Sequence, residues 1–310
     1  MTELAIRPAV PGDAEEICRL LNAVDLIEIG REETDLAAVK DDLTHPEAAL
    51  AENSWLAHRD GELVGYGLMW DDSGADRIDM DQYVLPDHQD AAERLFELME
   101  PRALDRARAN GADRAVIHLH LNTRPTVDPA LLTRRGWNVV RTYHVMTRPL
   151  HPAGDVVPPP PHGLTLRDCR EETDRIRARE LLNETFAEHF DHQPRSYAQW
   201  KADLGGGIDW SRVWIATLAG EGDVAVMVTR NDREAHAWIA NLGVVTRMRG
   251  RGIAGYLLRY AYAVYAALGR EAIGLGVDTA NASGAPRLYA AHGMTPYFAA
   301  HTWELTLPTP

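Results

Sequence analysis

Apolar and polar positions along the chain fall into short patterns that recur. Around residues 55–64 and again around 214–224, apolar runs flank a turn carrying glycine, which predicts two β-hairpins. Residues 4–7 and 164–167 read as opening strands, each followed by an acid-rich helix start. Residues 237–245 form an apolar extended run, and residues 253–268 are apolar with a helical period. Arg135-Gly136-Trp137 and His292-Gly293-Met294 each read as a helix end with its glycine cap, leading into a closing strand. The opening strands, hairpins and glycine caps match pairwise, in order, at offsets of 157 to 160 residues. The expectation is two copies of one α/β unit. Each runs strand, helices, three strands, helix, strand, helix and closing strands, giving a mixed, mostly antiparallel sheet flanked by helices.

Between the copies lies a segment, 151–162, that contains four consecutive prolines, Pro158 to Pro161. Such a run favours extended polyproline II and acts as a semi-rigid spacer. It divides the chain into expected domains at 1–150 and 163–310, joined by a linker at 151–162.

Between the strand pattern ending at Val245 and the helix pattern starting at Ile253 stands Arg247-Met248-Arg249-Gly250-Arg251-Gly252. The glycines can take positive φ and let backbone N–H groups approach a ligand. A helix N-terminus then adds partial positive charge, so strand, turn and helix make a site for phosphate. Arg247, Arg249 and Arg251 add three cations. A P-loop would need Gly-Lys-Ser/Thr and a dinucleotide fingerprint Gly-x-Gly-x-x-Gly, and neither is here. At an offset of 160 the first copy places Asp87 at Arg247, Gln89 at Arg249, Asp90 at Gly250 and Ala92 at Gly252. Two carboxylates there would repel a pyrophosphate. The first copy is therefore expected to have lost the site while keeping the following helix.

Arg247-x-x-Gly250-x-Gly252 resembles the pyrophosphate loop of the GCN5-related N-acetyltransferases (GNAT), which bind acyl-coenzyme A. Further on, Asn281-Ala-Ser-Gly-Ala-Pro-Arg-Leu-Tyr289-Ala-Ala-His-Gly-Met294 is similar to a second signature of that family, with Met294 in an aromatic place. The resemblance implies tandem GNAT-like domains similar to those of the mycothiol synthase type, the first degenerate and the second active. It implies that Leu242 and Val244 on the strand, Arg247, Arg249, Gly250, Arg251, Gly252, Ile253 and Ala254 on the turn, and Asn281 bind acetyl-CoA as acyl donor. It further implies that Tyr289 lies near the thioester sulfur, and that a backbone N–H near Val244 polarises the carbonyl. In the first copy the Tyr289 position falls on Leu132.

Glu188, His189, Asp191 and His192 cluster in the segment 186–194, which the resemblance sets beside an acceptor pocket. His189 and His192 are three apart with no His-Glu-x-x-His pattern, so no metal is expected. A solvated polar loop accounts for the same residues. Acyl transfer to an amine needs a base, and Glu188, His189 and His236 are the candidates, beside a base acting through water or none at all. Tyr289 is the expected donor to the departing sulfur. A phenol near ~10 against a thiol near ~8.5 favours a strong hydrogen bond over full proton transfer.

Lys and Arg number 32 against 46 Asp and Glu, a net charge of −14, which gives a nucleic-acid partner no support. Two cysteines, Cys18 and Cys169, make neither a disulfide framework nor a metal pattern. No signal-peptide pattern opens the chain and no run of 18 apolar residues occurs, so a cytoplasmic protein without membrane contact is expected. The reading is an N-acetyltransferase acting on a small-molecule amine, as a monomer or homodimer. The competing reading is a non-catalytic acyl-CoA-binding module.

Overall fold

The computed structural model describes residues 3–309 except 46, 72, 191, 205–207, 232–235 and 282. Two compact units emerge, Met1–Tyr143 with Phe298–Pro310, and His144–Tyr297. The first holds β1 (Ala5–Arg7), α1 (Ala14–Glu28), α2 (Leu36–Thr44), α3 (Leu50–Asn53), β2 (Ser54–Arg59), β3 (Glu62–Trp70), β4 (Arg77–Val84), α4 (Gln89–Ala109), β5 (Arg114–Asn122) and α5 (Pro129–Arg134). It also holds the start of β6 (Asn138–Pro149), whose remainder belongs to the second unit. The second continues with β7 (Leu164–Asp168), α6 (Glu172–Phe186), α7 (Tyr197–Asp203), β8 (Val213–Leu218), β9 (Gly222–Arg230), β10 (His236–Val244), α8 (Ile253–Ala267), β11 (Ala272–Asp278), α9 (Ala285–Ala291) and the start of β12 (Thr295–Pro308).

The same rules build both units. Strands β1 to β4 pair antiparallel in order, and β7 to β10 repeat the arrangement; β4 then pairs parallel with β5, and β10 with β11. In the first unit α1 buries Ile17, Leu20, Leu21 and Val24 on one face of the sheet, and α4 buries Leu95, Phe96 and Met99 on the other. In the second, α6 presents Ala178, Leu181 and Leu182 and α8 presents Leu257, Leu258, Ala261 and Tyr265 to the core. The helix after the turn stops alike in both. Gly269 at φ 75° donates to Ala266 O and Arg270 N–H to Tyr265 O, while Gly111 at φ 80° donates to Arg108 O and Ala112 N–H to Ala107 O. These are paired Schellman stops, which satisfy the last carbonyls and need glycine at the left-handed position.

The compact units do not divide at the proline-rich segment. Residues 150–163 form neither helix nor strand, as expected of a spacer, but they lie inside the second unit. The division falls within β6, and the chain returns to the first unit through β12. That strand pairs antiparallel with β5 from Ala300↔Asn122 to Pro308↔Arg114 and places Trp303 and Leu305 in the first unit's core. The repeat locates each element along the chain, whereas the choice of strand partner is non-local.

Candidate active site

The turn between β10 and α8 begins with one short helical turn, Thr246–Met248, closed by Met248 N–H donating to Val245 O at 2.8 Å. Arg249 is extended, and Gly250 and Gly252 stand at φ 76° and 78°, where a Cβ would be strained. A Cβ at either glycine would meet nothing within 4 Å, so the space over the turn is open. Gly252 caps α8, whose first N–H groups have no partner inside the helix. Ile253 is buried and anchors the helix start, Ala254 is half-buried, and half-buried Leu242 and Val244 pack on the core from β10.

The three arginines do not act alike. Arg247 is exposed and donates to Glu221 O at 3.2 Å, with its Nε 3.9 Å from the Glu221 carboxylate. Arg251 is exposed. Arg249 is half-buried and donates to Val244 O at 3.2 Å and Thr185 O at 3.4 Å. Of the three cations, Arg249 thus joins the end of β10 to the end of α6.

A wedge opens beside this turn. Parallel pairing of β10 with β11 runs from His236↔Ala272 to Trp238↔Gly274 and stops, although β10 continues to Val244 and β11 to Asp278. The pairing of β10 with β9 shifts register between Ile239 and Asn241, a bulge at Ala240 that bends the strand. The two strands therefore diverge, and backbone groups on that edge of β10 are left to meet water or a ligand.

The tail of α6 lands at the mouth of the wedge. Gly243 makes this possible, since a Cβ there would lie 2.1 Å from Thr185 Oγ1 and 3.2 Å from the Phe186 ring. The following turn is closed by His189 N–H donating to Phe186 O at 2.8 Å, with the His189 ring centred 4.4 Å from that of Phe186. Burial first, then the Arg249 and His192 charges, hold the His189 imidazole below its ordinary pKa against the opposing pull of Asp278 and Glu188. His189 is thus neutral at neutral pH and stands near the ends of both splayed strands. Glu188 is exposed, and His192 is lowered by burial and by Arg179. His236 lies at the far, paired end of β10. Asp191 falls outside the described residues, among which no group of three His, Cys, Asp or Glu could hold a metal ion.

Asn281 Oδ1 accepts from the N–H (2.8 Å) and the hydroxyl of Ser283, which fixes the turn before α9. Tyr289, on α9, is 8% exposed, and burial pushes its phenol up to about 12. Sequence reading missed its neighbourhood. Tyr262 on α8 is buried, its hydroxyl has no hydrogen-bond partner among the described residues, and it feels the charge that Tyr289 would carry on ionising. Arg148 lies 4.5 Å over the Tyr262 ring and is held by Asp155 at 2.7 Å. Nothing local marks these contacts; Arg148 stands in a closing strand over 100 residues from Tyr262.

In the first unit the corresponding turn is helix. At an offset of 160, residues 249–252 fall on 89–92, the first turn of α4. Gln89 there donates to Pro86 O and Thr126 O, both at 2.9 Å, and accepts from Asp128 N–H at 2.8 Å. Asp90 pairs with Arg59. The residues that form the open turn in the second unit are the start of a continuous helix here, and the Gln89 and Asp90 side chains are tied to neighbouring segments.

Residues 175–294 match the model of the acetyltransferase (GNAT) family. No curated protein matches the chain significantly. Among solved structures, a GCN5-related N-acetyltransferase from Sphaerobacter thermophilus is similar at a TM-score of 0.82 with 23% identity, over 98% of this chain and 96% of that one. A tandem GNAT protein from the clavulanic acid biosynthesis pathway, 18% identical, is similar at 0.69 over 99% of each chain. A GCN5-related glucosamine N-acetyltransferase region of a fungal multi-domain β-N-acetylglucosaminidase, 13% identical, is similar at 0.67 over 98% of this chain and 38% of that one. The fold is that of a tandem GNAT protein, and the family match lies wholly inside the second unit. No described helix is long and apolar enough to cross a membrane.

Proposed function

With a GNAT-family domain at residues 175–294 as premise, we propose that the second unit transfers an acetyl group from acetyl-CoA to the primary amine of a small molecule. The observation that carries this reading is the open turn at Gly250 and Gly252, with both glycines at positive φ, beside the wedge between β10 and β11. The pyrophosphate takes the N–H groups of the turn and the α8 N-terminus, with Arg247 and Arg251 as exposed counter-charges. The pantetheine arm enters the wedge, where unpaired backbone of β10 near Val244 binds it and polarises the thioester carbonyl.

The amine arrives from the side of His189. Neutral His189 takes a proton from the ammonium, and the nitrogen lone pair attacks the carbonyl carbon. The C–N bond forms and the C–S bond breaks, the amine's second proton passes through water to the departing thiolate to give the CoA thiol, and His189 returns its proton to solvent. Tyr289 donates a hydrogen bond to the departing sulfur. With its phenol raised to about 12, outright transfer to a thiolate of ordinary pKa ~8.5 is uphill by more than three units, so hydrogen bonding is its contribution.

Calorimetric titration of acetyl-CoA into the native chain and into Gly250→Asp, which copies Asp90, tests the reading. One site per chain, abolished by the substitution, is expected. Two sites would overturn the assignment of the site to the second unit alone, and no binding would overturn the function. Binding with no amine acetylated would favour a non-catalytic acyl-CoA module.

A further inference from the structure

The wedge has a second wall that the mechanism above leaves unused. Along β10, Ala237 and Ile239 are buried in the core, so the intervening Trp238 points to the opposite face. That face also receives α6, because Asn241 and Gly243 follow Trp238 on it once the bulge at Ala240 is passed. Across the sheet, the Trp238 ring lies over two glycines of β11. A Cβ at Gly274 would sit 2.9 Å from its Cζ3, and one at Gly276 4.0 Å from its Cζ2. Any larger residue at 274 would lift the indole off the strand. Trp238 is half-buried, with part of its ring against the glycines of β11 and part of the side chain accessible.

Gly274, Gly276 and Asp278 alternate onto one face of β11. Asp278 therefore stands two residues beyond the edge of the indole, about 6.7 Å along the strand. It is also the carboxylate that acts on His189. A flat apolar platform and a carboxylate thus follow one another along β11 toward the mouth of the wedge, where the tail of α6 that leads to His189 packs on Gly243. In the first unit the same register carries Asp79 and His118 in place of Trp238 and Gly274. There Arg77 pairs with Asp79 at 2.6 Å and His118 with Glu304 at 2.9 Å, so the surface is polar and satisfied.

We propose that Trp238 is the specificity-determining platform of the acceptor site and that the acceptor is an arylalkylamine, its flat ring on the indole and its primary amine two or three atoms away between Asp278 and His189. The spacing sets the arm length. The ammonium meets Asp278 before its proton passes to His189, and the ring replaces water over the open part of the indole. Offset stacking of two rings adds about 0.5–1.5 kcal/mol beyond burial, which is roughly twofold to tenfold in affinity.

This inference rests on the acyl-transfer reading, so binding and turnover are measured apart. Calorimetry with 2-phenylethylamine and 2-cyclohexylethylamine, in the presence of CoA, is run on the native chain, Trp238→Phe, Trp238→Leu and Asp278→Asn, with thermal melts to confirm folding. The expected result is a preference of roughly twofold to tenfold for the planar ring in the native chain, kept in Trp238→Phe and lost in Trp238→Leu. Asp278→Asn, which preserves the oxygen that accepts from Ala280 N–H at 2.9 Å, weakens both amines equally. Equal binding of the two amines to the native chain, a preference unmoved in Trp238→Leu, or tighter binding of spermidine or glucosamine would overturn the proposal. Intact, Trp238-dependent amine binding without acetyl transfer supports the platform and counts instead against the catalytic reading.

Discussion

The mouths of the two wedges are built on one plan and finished differently. Buried positions align Ile17, Leu20, Leu21 and Val24 of α1 with Ala178, Leu181, Leu182 and Thr185 of α6, a constant offset that sets Glu28 opposite His189. In the first unit β4 and β5 also part, after Met80↔Leu119. There Glu28 reaches the end of β5, accepting from Asn122 Nδ2 at 2.5 Å, Thr126 N–H at 2.6 Å and Thr126 Oγ1 at 3.0 Å. In the second unit the corresponding position is His189, whose imidazole feels the Asp278 charge at the end of β11. A carboxylate that accepts three hydrogen bonds is a staple; an imidazole held neutral beside a carboxylate is a proton acceptor. One unit has spent its polar groups on itself and the other has kept them for something else. The turns before α4 and α8 follow the same division.

The sharpest break of this contrast is at His189. Replacing it with Gln, which can hydrogen-bond but not take a proton, is expected to lower kcat/KM for the amine by about 10²–10⁴ while acetyl-CoA binding is retained. In the native chain kcat/KM falls as pH drops below ~6.5 through the lowered pKa of His189, because protonation removes the base; the variant shows no such limb. The sign for stability is the same. His189 binds its proton less readily folded than unfolded, so its contribution is whole above ~6.5 and declines as pH falls. A low-pH limb that survives the substitution would assign the base elsewhere.

Next in size is Tyr289→Phe, for which stopped-assay kcat is expected to drop roughly 10²-fold, the cost of one lost donor at a developing charge. Calorimetric acetyl-CoA affinity should not change. Weakened binding without a kcat effect would make Tyr289 a packing residue like Leu132, its buried counterpart. The smallest effect is expected at Glu28→Gln. Chemical denaturation should show a loss of about 1–2 kcal/mol, since one charged acceptor is lost and a donor is turned toward Asn122 and Thr126. Acetyl transfer should be unaltered, and a loss of activity would show that the two mouths are not separable in function.

What sequence reading found and missed separates by range. The Arg247–Gly252 turn, the glycine caps at Gly136 and Gly293, both at positive φ, and the replacement of the turn's residues by Asp87 and Asp90 are local, each specified by residues within a few positions. The helix kept after the degenerate turn begins at Gln89, because with Gly250 and Gly252 replaced by Asp90 and Ala92 the turn itself becomes helical. Contacts across the sheet were invisible. Gly243 against Thr185, Trp238 on Gly274 and Arg148 over Tyr262 depend on which strands and helices meet. His189 was one candidate among several for that reason, since only the fold brings it to Asp278. At Arg249 charge is legible in sequence and direction is not, since the fold aims its donors at Val244 O and Thr185 O.

The return of β12 to the first unit also orders events in time. During synthesis the ribosome releases residues 144–297 before residues 298–308, so the second unit can close while the first still lacks the strand that pairs with β5. The half that is made first is the half that is finished last. Until then the Trp303 and Leu305 side chains that complete its core do not exist, and a nascent chain halted between the two would carry a closed second unit behind an open-edged first.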